Sequence, residues 1–226
     1  MLTRLIKLAF IDTETTGLNP VLNDPFQVAV IFRKLVYSYL GDGVFEFALD
    51  KELEEKVFYL KPLNFDTISL KALEVNGVSI ETLKSYPPAA ETFNEMISYF
   101  NTKVDRFNKY DKLIPVGYNV KFDLDMLFAL QDKLAFKYFG AYLSRKAIDV
   151  LDHIRHIQLL FPGVFGESIN LKSVCGTQGV CVVLNEAHDA LADIRATMAL
   201  FEKFVLPQLL AMQSSNTKML GGLTNG

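Results

Sequence analysis

Residues 5–18 read LIKLAFIDTETTGL, and the reading of this stretch decides the fold. Leu5 to Ile11 is a nearly continuous apolar run, the pattern of a central strand covered on both faces. Asp12 and Glu14 then stand two apart at its end, before Gly17, Asn19 and Pro20 break the strand. Side chains of a strand alternate between its faces, so both carboxylates point the same way. Two like charges on a core strand repel each other unless a cation lies between them. A divalent metal is the simplest cation for all-oxygen ligands. Taken alone, the pair reads rather as strand-end carboxylates reaching solvent.

Outward from this strand the pattern alternates. Phe26 to Phe32 (FQVAVIF) and Val44 to Leu49 read as strands with Gly41-Asp42-Gly43 as the turn, and Val57 to Leu60 adds a short one. Two short helices fit Thr67 to Leu83, separated at Asn76-Gly77. Pro87-Pro88 starts a longer helix whose apolar stripe runs Phe93, Met96, Ile97, Phe100, Val104, Phe107. Leu113 to Tyr118 reads as a strand, Lys121 to Tyr138 as a helix and Ala147 to Val150 as a last short strand. Helices follow over Leu151 to Leu160, from near Asn170, and from Ala190 to Phe204, where Pro207 is expected to bend or end the last one. Strands followed by alternating helix and strand predict an α/β fold, a mixed sheet with helices on both faces. The length fits one domain over 1–206, with a Ser-, Asn- and Gly-rich extension over 207–226 expected to be loose from about Ser214.

Two further stretches carry chemistry. In VGYNVKFDLDML (Val116–Leu127), Asp123 falls in the first turn of a helix that follows a strand, where negative charge is favoured. Asp125 lies roughly 200° around that helix from it, so the two do not serve one site. In HDALADIRATMAL, His188 and Asp193 are five apart, roughly 140° on a helix. They converge only if His188 lies in the entering loop and Asp193 in the first turns.

Together, IDTETTGL, GYNVKFDLDML and HDALAD resemble the three motifs of the DEDD superfamily of 3′→5′ exonucleases. EVNGVSIETL, AIDVL and NLKSV are similar to weaker landmarks of the same family, and His188 five before Asp193 resembles its histidine subgroup. The resemblance implies a ribonuclease H-like fold, a mixed five-stranded sheet, and two-metal hydrolysis releasing nucleoside 5′-monophosphates. It implies Asp12, Glu14, Asp123 and Asp193 as ligands, with Asp12 bridging two magnesium ions that manganese can replace, and His188 as general base. It further implies that Thr13, Thr16, Gly17 and Leu18 line the terminal-nucleotide pocket, and that Asn76, Asn119 and Phe122 lie against that nucleotide. Three positions depart from the family pattern: Tyr118 and Asn76 stand where His is frequent, and Gln27 where an acid is frequent. DNA is the favoured substrate; RNA and a non-catalytic binding module are the alternatives. His153 and His156, three apart on a helix, read as surface residues without a third ligand.

Twenty-three Lys and Arg against 26 Asp and Glu give a net charge of −3, so no broad basic face is expected. Contact with a polyanion must then be local, through a few cations near one site, and single-stranded 3′ ends suit it. Lys121, Arg145 and Lys146 read as solvated charges rather than phosphate contacts. No stretch has the length and apolarity of a membrane span. MLTRLIKLAF reads as a buried strand rather than a signal peptide, which places the chain in the cytoplasm. Cys175 and Cys181 match no metal or redox spacing and read as reduced thiols. The short tail leaves little for docking a polymerase, so a stand-alone enzyme is expected.

Overall fold

The structure is a computed structural model that describes residues 2–41, 44–180 and 188–209. Among these, six strands form one mixed sheet: β1 (Leu2–Thr15), β2 (Pro25–Gly41), β3 (Val44–Leu49), β4 (Glu54–Tyr59), β5 (Leu113–Gly117) and β6 (Ile148–Asp149). The order is β3-β2-β1-β5-β6, with β4 also on β2. β4 pairs with Gln27–Phe32 and β3 with Leu35–Gly41. The sheet is therefore five positions wide but six strands in number, because β2 is long enough to carry two short partners along one edge. β1, β5 and β6 run parallel, whereas β2 is antiparallel to β1.

The alternation of β1 and β2 splits the interior into two layers. Ala9, Ile11, Val28, Val30 and Phe32 pack with α3 (Ala89–Asn101) and α4 (Val120–Lys133). Leu8, Phe10, Ala29 and Ile31 face the other way, into a layer that includes α5 (Val150–Leu160), α6 (Leu171–Thr177) and α7 (Ala190–Leu200). A strand buried on both faces has no polar side, which is why residues 8–11 are apolar without a break. α1 (Leu70–Asn76) and α2 (Ile80–Ser85) lie over a small satellite of Phe26, Leu73 and Leu83. Asn76-Gly77 does separate them, with Gly77 in the left-handed region at φ 62°.

Three expectations are corrected. α3 ends at Asn101, so Phe107 is off the stripe and 84% exposed. α4 stops at Lys133, because Ala135 and Tyr138 take positive φ. Pro207 does not end the last helix by residue 209; a π-turn over Phe201–Val205 precedes it and helix resumes over 206–209. Asp42, Gly43, Cys181 and the segment from Ser214 lie outside the described residues. Among the described residues, no helix is long and apolar enough to cross a membrane.

Candidate active site

The C-terminal ends of β1 and β5 open into a cavity of about 450 Å³. Its lining includes Asp12, Glu14, Asp123, His188 and Asp193, which come from three separate stretches of the chain. The sheet explains how they meet. Even positions of β1 face the α7 layer, and Glu14 there lies with Asp193 and His188, each offering one ligand atom within 4.8 Å of the others. Asp189 caps α7 by accepting from the N–H groups of Leu191 and Ala192. That cap leaves His188 before the helix and Asp193 in its first turn, where His188 Nδ1 lies 3.2 Å from Asp193 Oδ2.

Asp123 arrives from the opposite face. It sits in the first turn of α4 and is 3% exposed. Its Oδ1 accepts a 2.8 Å hydrogen bond from Thr13 Oγ1, the odd-numbered residue that points towards α4. The turn into α4 is fixed by Asn119, left-handed at φ 66°, whose N–H donates to Asp149 Oδ1. Asp149 also caps α5, so its part is structural.

The electrostatics are those of crowded acids. Burial, then neighbouring Asp123, Glu14 and Asp193, holds the Asp12 carboxyl well above the usual carboxylate range. Burial, then Asp193 and Asp123, pushes Glu14 up to about 8. Burial also lifts Asp123 to about 7, while the Thr13 hydroxyl works against the rise. Asp193 is raised by burial, with His188 pulling the other way. Among the described residues, no Lys or Arg forms an ion pair with any of the four; the one partner is His188. Such a donor set, all carboxylate oxygen and without a protein cation, fits divalent metal ions.

The remaining expected residues divide. Gly17, Asn76, Asn119 and Phe122 line the cavity, and so does Leu18, 83% exposed. Thr16 does not line it. It is fully buried with its hydroxyl accepting from Asp24 N–H, and Thr15 lines the cavity instead. Gly17 is needed sterically, since a Cβ there would meet Asn23 Oδ1 at 2.5 Å. Tyr118 lines the cavity with its hydroxyl donating to the Ile169 carbonyl. Gln27 is withdrawn behind the site, its Oε1 accepting from Ala190 N–H at the start of α7.

Lys121 pairs with Asp125, and Arg145 lies over the Phe128 ring, so neither faces the cavity. His153 and His156 join no cluster of ligands among the described residues. Sequence reasoning missed the wall supplied by α1: Ser69, Lys71, Ala72 and Val75. It is tied to the strand end by Ser69 N–H to the Thr16 carbonyl at 2.8 Å and Asn76 Nδ2 to the Thr15 carbonyl at 3.2 Å. Among the described residues, Lys71 is the only Lys or Arg that lines the cavity.

Known proteins are similar to this chain over most of its length. Ribonuclease T of Buchnera aphidicola subsp. Baizongia pistaciae is 27% identical over 197 residues, 86% of this chain and 82% of that protein. Ribonuclease T of Blochmanniella pennsylvanica is 25% identical over the same shares. Among solved structures, the zinc-bound complex of E. coli ExoI with single-stranded DNA has a TM-score of 0.67 at 23% identity. It covers 91% of this chain and 41% of that one. Exonuclease I from Methylocaldum szegediense gives 0.63 at 22%, covering 88% and 40%. The chain spans about two fifths of those exonuclease I chains, and the likeness to them is one of fold. The RNase_T model, described as exonuclease, matches residues 9–201, from the middle of β1 to the end of α7. The chain belongs to that exonuclease family.

Proposed function

We propose that this protein hydrolyses single-stranded nucleic acid from the 3′ end, releasing nucleoside 5′-monophosphates, as a member of the histidine subgroup. The observation that carries this reading is the convergence of Asp12, Glu14, Asp123, Asp193 and His188 on one cavity. Asp12, Glu14, Asp123 and Asp193 would hold two magnesium ions, which manganese could replace. When bound, such ions polarise the phosphate and stabilise both the attacking and the leaving oxygen. The chain's own part is to orient. With Nδ1 protonated, His188 donates to Asp193 and keeps the Nε2 lone pair free to take a proton from the attacking water. Leu18, Phe122 and the α1 wall hold the terminal nucleotide, and Asn76 and Asn119 offer it amide groups. Lys71 faces the strand's phosphates, the local cation that a chain of net charge −3 requires.

A single-stranded end is favoured because structures of E. coli exonuclease I, similar in fold, hold single-stranded DNA. DNA is our first reading of the substrate. RNA is the second, favoured by the ribonuclease T relatives. We place the protein in the cytoplasm. Digestion of matched 3′- and 5′-labelled single-stranded DNA, duplex DNA and RNA with magnesium tests all of this at once. Stepwise shortening from the 3′ end is expected, fastest on single-stranded DNA. Internal cleavage, or no cleavage of any substrate, overturns the reading.

The cluster of Glu14, His188 and Asp193 within 4.8 Å favours one variant of the mechanism, in which His188 is itself a ligand. Metal uptake by His188→Ala separates the two, since only loss of a ligand removes an ion.

A further inference from the structure

We infer that Thr13 is a positioning residue for the metal site, holding one oxygen of Asp123 so that the other is presented to the ions. The inference rests on the proposed function for its metal ions, and on the hydrogen bond from Thr13 Oγ1 to Asp123 Oδ1 for its geometry. That bond spans 2.8 Å between two side chains 7% and 3% exposed. Thr13 lies between Asp12 and Glu14 in sequence yet points to the other face of β1. It therefore reaches the one carboxylate delivered from the α4 layer, while its neighbours meet those delivered by α7. The bond is also a clamp between β1 and α4, since residues 13 and 123 are otherwise far apart in the chain.

A carboxylate with both oxygens free turns about its last bond, and a metal must then arrest it. Once Oδ1 is occupied by a donated proton, the carboxylate is oriented before any ion arrives. Outer partners of this kind fix the orientation of ligands and tune their basicity. Thr is suited to the task because its branched Cβ restricts the hydroxyl to few rotamers. Thr13 lines the cavity, as expected, and its hydroxyl is engaged by Asp123.

The test uses Thr13→Val, which keeps shape and volume but removes the donor, and Thr13→Ser, which keeps the hydroxyl. Manganese binding by electron paramagnetic resonance, with magnesium as competitor, gives affinity without catalysis. Thermal melting of the metal-free proteins checks folding. Thr13→Val is expected to bind manganese roughly ten- to a hundredfold more weakly, the usual cost of losing an outer partner. Thr13→Ser should recover most of that loss. In single-turnover digestion, raising manganese should restore the Thr13→Val rate, because the ligands themselves remain. Equal affinity in wild type and Thr13→Val overturns the inference and leaves the exonuclease reading standing. Absence of manganese uptake by wild type overturns both. If Thr13→Val melts far below wild type, the comparison passes to Thr13→Ser against Thr13→Ala, and equal affinities there overturn the inference.

Discussion

The two walls of the cavity bury carboxylates by different means. On the α7 side, Asp12 and Glu14 from β1 meet Asp193, with the imidazole of His188 the partner at hand. On the α4 side, Asp123 receives a hydroxyl donor and stands in the first turn of a helix. Burial raises both pKa values, Glu14 to about 8 and Asp123 to about 7; every influence on Glu14 acts upward, whereas the bonds from Thr13 work against the rise at Asp123. One wall gives its acid a hydroxyl donor, and the other sets its acids beside the imidazole of His188.

That contrast can be broken most sharply on the α7 side. Asp12→Ala and Asp193→Ala should abolish hydrolysis in end-labelled digestion while circular dichroism stays that of wild type. Full activity in either variant removes the two-metal assignment. His188→Ala should keep manganese uptake and slow turnover by roughly a hundredfold. An unchanged rate and pH profile would place the base elsewhere.

A smaller effect concerns pH. The folded pKa values of Glu14 and Asp123 lie above the ordinary carboxylate range, so the unfolded chain gives up these protons first. Stability from the protonated forms is complete below about pH 4, near the unfolded pKa values. It is lost as pH rises through about 7 for Asp123 and about 8 for Glu14. The metal-free melting temperature should thus fall by several degrees between pH 5 and pH 9, and magnesium should raise it most at the alkaline end. Glu14→Gln should flatten that fall more than Asp123→Asn, since every influence on Glu14 raises its pKa. A metal-free profile flat in pH would contradict the contrast between the walls. The smallest change expected is for Lys71→Ala, outside both walls. It should weaken binding to oligonucleotides about threefold and reduce the salt slope by roughly 0.7, with turnover unaltered.

Much of this was legible in particular residues. The parity of Asp12 and Glu14 follows from local rules, as does the break at Asn76-Gly77. Thr16 was misread because being near a motif is not facing the cavity; its hydroxyl is taken by Asp24 N–H. Phe107 fitted the helical period of α3, yet the chain leaves the helix at Thr102. Periodicity cannot show where a helix stops when no Gly or Pro marks the end. The α1 wall was invisible for a different reason. Lys71 and Val75 look like any surface helix until backbone bonds to Thr15 and Thr16 bring that helix to the site.

The sequence by itself determined the buried strand, the shared face of its two acids and the family to which three spaced motifs point. These are properties of neighbours along the chain, fixed by a strand's period of two and a helix's of 3.6. Only the tertiary structure decided that Thr13 holds Asp123 and that Thr16 is withdrawn. It also decided that β3 and β4 share one edge and that α1 closes the pocket. Each of those is a meeting of groups distant in sequence, and a one-dimensional pattern carries no record of which of them will touch.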